Sequence, residues 1–307
     1  MNIERLKDFR QAAYELLVRA KDATFELMDA VMTTRNASCL AEFSLSPLFN
    51  RQWSSVYEAL QDTRPNRKKL MELYQKQLEQ QVPATEHILV AIDHTAWGRP
   101  DAKTLKDRTH EYQRGTVVGQ GYSTIAWIPE AGGSWALPLL HERISSESSP
   151  ILQAASQLKL VCEQSVNPVL AVLDIVWFKY LRRFAVDHWY RFAKQRLHWT
   201  LPNLRTPEQS ERWSDLMPLM SWQLWLARDL VAENRLPWQS ATIDLTPGRV
   251  AQSMLSVLVD IGTPTKPPKS RGKSPGWQTG KVREAAPRYP TVKKRVSRRK
   301  KSSRLVV

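Results

Sequence analysis

The sequence predicts an α/β protein: a mixed sheet flanked by an N-terminal helical bundle and by C-terminal helices. Three observations carry this. The hydrophobic period changes from helical to strand-like near Thr85 and returns to helical after the run "NPVLAVLD". Between those points the elements read strand, strand, strand, helix, strand. The charge is segregated: from Thr265 onward there are 15 Lys and Arg against one acid, while the rest has 30 basic and 29 acidic residues within a net charge of +15. Residues 1–84 are therefore read as a helical domain and a candidate for nucleic-acid binding, 85–262 as the α/β core with its helical C-terminal part, and 263–307 as a basic, disordered tail.

In the first helices, "FRQAAYELLVRAKDATFELMDAV" places Ala13, Leu16, Leu17, Ala20, Leu27, Met28 and Val31 at helical spacing. In "SLSPLFNRQWSSVYEALQD", Ser46 is positioned as an N-cap and Pro47 as a first-turn residue, with Phe49, Trp53, Val56 and Leu60 stepping along one face. "RPNRKKLMELYQKQLEQ" turns Leu70, Leu73, Tyr74 and Leu78 inward. These helices fit a helix-turn-helix-like module or a plain bundle equally well.

"HILVAID", "GTVVGQGYSTIAWIP" and "GSWALPLLHERIS" read as strands, rich in β-branched and aromatic residues and bounded by Gly and Pro. Ser149-Pro150 opens a helix, and "NPVLAVLD" is a buried strand. A helix over 180–199 follows at once. Thr206-Pro207-Glu208-Gln209 fits a capping box before "WSDLMPLMSWQLWLARDL", which Pro218 should kink or split. Thr246-Pro247 starts the last helix, with Val250, Met254, Leu258 and Ile261 inward and Gly262 closing it. The stretch "GTPTKPPKSRGKSPGWQTGK" beyond it is linker-like.

Composition narrows the function. The chain of 307 residues is 42% hydrophobic with 12 Trp, enough for a substantial core. Cys39 and Cys162 have no metal-binding or disulfide-framework spacing. The opening "MNIERLKDFR" has no signal-peptide pattern, and the longest apolar runs are too short to span a bilayer. The expectation is a cytoplasmic protein without membrane contact. The dense Lys/Arg tail suits a polyanion, with nucleic acid the leading partner. The "RGKS" at 271–274 lacks the first glycine of a phosphate loop, and no HExxH, zinc-finger or GxSxG pattern is present.

What remains is acidic. Asp93 and Asp174 each end a buried strand, and neighbouring strands would bring their carboxylates together. Two carboxylates at a few ångströms repel unless a divalent cation holds them. The helix over 180–199 aligns Tyr180, Arg183, Asp187, Arg191 and Lys194 within about 80° of one another, and His198 returns to that stripe. Leu181, Ala185, Trp189 and Phe192 fall on its other faces. Taken alone, such a stripe is more often a solvated face than a site.

The spacing Tyr180, two residues, Arg183, three residues, Asp187, six residues, Lys194 resembles the Tyr-Arg-Glu-Lys signature of DDE transposases of bacterial insertion sequences. "IDHTAW" and "VLAVLD" resemble their first- and second-acid strands, and the likeness extends over nearly the whole chain. The resemblance implies an RNase H-like core that cuts and joins DNA with two Mg²⁺ ions, Mn²⁺ being a substitute. It implies Asp93, Asp174 and Asp187 as catalytic metal ligands. Tyr180, Arg183, Arg191 and Lys194 would contact double-stranded DNA, both transposon ends and target. A homodimer is one assembly open to it in the DNA complex.

Two departures qualify the expectation. The third acid is Asp187 where the signature has Glu, which shortens its reach by on the order of an ångström; misplacement of that size can cost ~10²-fold in rate. Only twelve residues separate Asp174 from Asp187, too few for the helix and strand that normally intervene, so the sheet is expected to be incomplete. About ten helical residues would carry Asp187 some 15 Å from the helix start. The expected consequence is a chain that binds DNA and cleaves it poorly or not at all. The alternative to a transposase is a non-enzymatic DNA-binding remnant that competes with or modulates an intact one. An RNase H-like repair nuclease is a weaker third option, disfavoured by the Tyr-Arg-acid-Lys stripe.

Overall fold

A computed structural model describes residues 3–112, 115–129, 134–171, 182, 184–233, 235, 237–238, 245–270, 280, 282 and 284–294. Four helices come first: α1 (Ile3–Leu16), α2 (Lys21–Thr33), α3 (Ser54–Asp62) and α4 (Arg67–Glu79), with a short 3₁₀ segment Leu40–Leu45 between α2 and α3. The sheet follows as β1 (Ile88–Gly98), β2 (Thr109–Tyr112), β3 (Thr116–Trp127) and β4 (Leu137–Ile144). Helix α5 (Pro150–Gln164) leads to β5 (Val169–Ala171), and α6 (Phe184–Gln195), α7 (Pro207–Ala227) and α8 (Pro247–Ile261) complete the described helices.

The sheet is mixed and five-stranded, in the order β2-β3-β1-β5, with β4 also paired to β3. β1 runs antiparallel to β3, Asp93 facing Thr124, and parallel to β5, Ile88 facing Val169 and Val90 facing Ala171. β3 pairs antiparallel with β2 over Thr116–Gly119 and with β4 over Gly121–Trp127. The expected order of three strands, a helix and a strand is therefore present, with the short β2 added.

Local chemistry sets most helix starts. Ser149, Thr206 and Thr246 each accept a hydrogen bond from the backbone N–H three residues on, and each is followed by proline in the first turn. Asn66 does the same for α4. Gly262 closes α8 at φ 72°, a conformation that favours glycine. Three expectations need correction. Ser46-Pro47 does not open a helix: Ser46 ends the 3₁₀ segment, and α3 begins only at Ser54. Trp53, expected inward, is 63% exposed. Helix α7 continues through Pro218 as one element rather than splitting.

A single cluster of buried apolar residues joins α1–α4, the sheet and α6–α8. Its centre is α7, buried on every side from Trp213 to Ala227, whose tryptophans each find a polar partner. Trp213 Nε1 donates to Trp199 O (2.6 Å), Trp222 Nε1 to Pro138 O (2.9 Å) and Trp225 Nε1 to Gln81 Oε1 (2.8 Å). Arg10 of α1 is buried and forks onto both carboxylate oxygens of Asp29 in α2 at 2.8 Å, while also donating to Gln223 of α7. Just past α6, Arg196 donates to the carbonyls of Val31, Met32 and Thr34 at the C-terminal end of α2. This anchors the foot of α6 on the N-terminal bundle by satisfying carbonyls that a helix end leaves open.

Part of the segment expected to be a disordered tail is docked. Tyr289 N–H donates to Lys103 O and Val292 N–H to Arg108 O, both at 2.8 Å, and Val292 bridges Thr109 in parallel. Lys294 Nζ lies 2.7 Å from Glu111 Oε1, and Glu111 is only 4% exposed. The Glu111 carboxylate lies over Gly121, where a Cβ would come within 2.7 Å of it. Cys39 and Cys162 are both free and exposed. Among the described residues, no helix is long and apolar enough to cross a membrane.

Candidate functional site

The outer half of β1 and one face of α6 enclose a cleft of about 750 Å³, lined by Asp93, His94 and Thr95 from the strand and by Phe184, Asp187, His188, Tyr190, Arg191, Lys194 and Gln195 from the helix. The helix geometry explains the division of labour. Ala185, Val186, Trp189 and Ala193 pack into the core, while Asp187, Arg191 and Lys194, three and four residues apart, share the open side. The acid lies in the first turn and the lysine in the last, each at the end of the helix dipole that favours its charge.

Four of the residues expected from sequence therefore meet: Asp93, Asp187, Arg191 and Lys194. Asp174, Tyr180 and Arg183 lie outside the described residues. His198 is a correction. Helix α6 ends at Gln195, and His198, at φ 54°, turns inward to a site 7% exposed, with Nε2 3.2 Å from Thr34 O. Burial lowers its pKa, and it takes no part in the cleft.

Asp93 is half-buried and Asp187 exposed. Lys194 Nζ donates to Thr95 Oγ1 at 2.7 Å. Burial lowers the Lys194 pKa, against the opposing pull of the Asp93 carboxylate. The cleft thus combines two acids with two cations, the lysine seated against the strand that carries the first acid.

Sequence reasoning missed what supports this arrangement. Tyr190 lies under the cleft with its hydroxyl 2.9 Å from Asp93 O and 2.8 Å from Thr124 Oγ1. Thr124 Oγ1 is 2.8 Å from His141 Nδ1. One phenolic hydrogen cannot serve two acceptors. The carbonyl only accepts, so Tyr190 donates to Asp93 O, Thr124 donates to Tyr190, and His141 donates from Nδ1. His141 is sandwiched among Tyr122, Trp189 and Trp199, with centroids at 5.1, 5.1 and 4.7 Å. Burial, then the charges of Lys194 and Arg67, depress its pKa to about 3, so the ring is neutral. Burial, with the Asp93 carboxylate, raises the Tyr190 phenol well above its usual value. The relay is therefore uncharged and works as a fixed brace, holding α6 against β1 and β4. A Tyr three residues after Asp187 was visible in the sequence; its partners on two other strands were not.

Among the described residues, no group of three His, Cys, Asp or Glu side chains is placed to hold a metal ion. Asp93 and Asp187 supply oxygen donors of the kind Mg²⁺ prefers, and the open cleft leaves room for substrate phosphate. No protein-family model, curated protein or solved structure matches this chain.

Proposed function

We propose that the chain is a DNA-cleaving and strand-joining protein of the DDE transposase type, with Asp93, Asp174 and Asp187 as ligands for Mg²⁺. The observation that carries this reading is the shared cleft: an acid from the sheet and an acid from α6 line it together, with Arg191 and Lys194 on the same helix face. The strand order adds support. Three antiparallel strands, then a helix and a strand parallel to the first, are what an RNase H-like core begins with.

Bound by such carboxylates, Mg²⁺ would polarise phosphoryl oxygens and supply a water of lowered pKa for in-line displacement. The chain's own groups do the rest. Lys194, positioned by Thr95, and Arg191 hold phosphate oxygens across the cleft. Tyr190 fixes the backbone at Asp93, so the first carboxylate keeps its place relative to α6. By the signature, Tyr180 and Arg183 hold the terminal DNA.

A second reading, the DNA-binding remnant, is favoured by the twelve residues between Asp174 and Asp187, and among the described residues no strand follows β5. One experiment separates the two. Purified protein is incubated with Mg²⁺ or Mn²⁺ and labelled duplex carrying the ends of a related intact element. Nicking at the element boundary, lost in Asp93→Asn and in Asp187→Asn and absent without the metal, supports the transposase. Retarded but uncut duplex supports the remnant. No binding at all overturns both.

A further inference from the structure

A second cleft, of about 470 Å³, lies between α3 and the chain that leads into α7. It is lined by Tyr57 and Gln61 of α3, by Asn203, Arg205 and Gln209, and by the Ser38–Leu40 stretch. Its volume is in the range of small-ligand sites, and no carboxylate lines it. Tyr57 is 43% exposed, and Trp53, one turn earlier, is 63% exposed and meets it edge-on at 6.2 Å. Among the described tryptophans, Trp53 and Trp238 are exposed, while Trp97, Trp127, Trp135, Trp189, Trp199, Trp213, Trp222 and Trp225 are buried.

The polar groups are as telling as the rings. Among the described residues, the side chains of Tyr57, Gln61, Asn203 and Arg205 have no hydrogen-bond or ion-pair partner. Two further guanidinium groups stand beside the cleft, among the carboxylates of Asp62, Glu208 and Glu211: Arg64 Nη1 donates to Gln61 O at 2.9 Å, and Arg212 donates to the same carbonyl. An aromatic surface, free carboxamides and guanidinium groups together form a chemical set with one clear match. Aromatic rings stack on any base face, Asn and Gln pair with base edges, and Arg grips phosphate.

We propose that this cleft binds an unpaired nucleobase with its 5′ or 3′ phosphate, stacked on Tyr57, read by Gln61 and Asn203, and held by Arg205. The inference rests on the DNA reading for the polymer that delivers the base. It is independent of cleavage, because no residue here belongs to the Asp93 cleft. The two possible sources of the base are a single-stranded DNA end and a free nucleotide.

The test uses the full chain and two duplexes of one sequence, one blunt and one with a three-nucleotide single-stranded end. Affinities are read by fluorescence anisotropy at one salt concentration. The basic tail acts on both duplexes alike, so their ratio isolates the cleft. The wild type is expected to favour the single-stranded end by about tenfold, the scale of one stacked base. Tyr57→Ala and Arg205→Ala should each collapse that preference, and Tyr57→Phe should retain it, since the ring and not the hydroxyl does the stacking. Deoxyadenosine monophosphate that erases the preference identifies free nucleotide as a source; an unaffected preference restricts the site to polymer ends. Asp93→Asn should keep the preference whether or not the wild type nicks DNA, which separates failure of the cleavage reading from failure of this one. Equal affinity of the wild type for the two duplexes, or a preference that survives Tyr57→Ala, overturns the proposal.

Discussion

The Tyr190 hydroxyl donates to the backbone carbonyl of Asp93 at 2.9 Å, so a side chain of α6 grips the strand at the residue that carries the first acid of the cleft. Replacing Tyr190 by Phe leaves the Asp93 carbonyl and Thr124 without that hydroxyl in a fully buried setting. The expected cost is about 1–3 kcal/mol of stability. Urea unfolding of Tyr190→Phe against wild type measures it, and an unchanged midpoint would show that the brace is dispensable.

Lys194 is the cation of the cleft most closely fixed to the sheet, through Thr95 Oγ1. If it meets a DNA phosphate, Lys194→Met should weaken binding of all sequences alike and make the slope of log K against log salt shallower by about one. A slope equal to that of the wild type would place the phosphate contacts elsewhere.

Asp215 of α7 shows a pH effect whose sign can be worked out. Arg67 is held above its ordinary value by Asp215 and Glu211, yet Asp215 itself is raised to about 6. The acid is fully buried while the Arg67 side chain is 40% exposed, so burial outweighs pairing. A folded-state pKa above the unfolded one means the folded chain binds more protons between roughly pH 4 and 6. This group's contribution is fully present below the unfolded value and is lost as pH rises through 6. Asp215→Asn stays neutral, so its stability relative to wild type should increase from pH 4 to pH 7. Denaturation curves that shift in parallel across that range would contradict this.

The docked segment makes a proteolytic prediction. Glu111 is a buried carboxylate matched to Lys294, and Glu111→Gln removes the charge that holds the lysine. Trypsin should spare Arg288, Lys293 and Lys294 in the wild type and cut there in the variant, read by intact-mass mapping. Six further basic residues follow Lys294. Removing residues 295–307 should flatten the salt dependence of DNA binding.

The parts of this architecture that were readable in advance are those set by local chemistry. Ser149-Pro150, Thr206-Pro207 and Thr246-Pro247 mark helix starts because cap and first-turn proline act within four residues. Ser46-Pro47 has the same letters and fails, since the residues after it continue into turns and the helix waits for Ser54. β2 escaped notice because four residues, "THEY", become a strand only by pairing with β3. In the candidate cleft, the stripe Asp187, Arg191, Lys194 follows from helical periodicity alone. That it faces Asp93 depends on how α6 packs on β1, and the Tyr190–Thr124–His141 brace depends on the alignment of three elements. His198 fell off the stripe because the helix stopped at Gln195, a boundary that the apolar residues beyond it, Leu197 and Trp199, concealed.

Arg10, near the start of the chain, makes its buried contacts with Asp29 and with Gln223, the latter 213 positions away. During synthesis the first helices leave the ribosome long before α7 exists, so until then the guanidinium has Asp29 but lacks Gln223 and the apolar cover of that helix. The N-terminal bundle consequently cannot finish folding in isolation, and excising it as a portable binding module should yield an aggregation-prone fragment. Closing so long a loop also makes the last step of assembly slow. A chain interrupted anywhere before α7 would be left with its earliest helices still waiting for the element that completes their core.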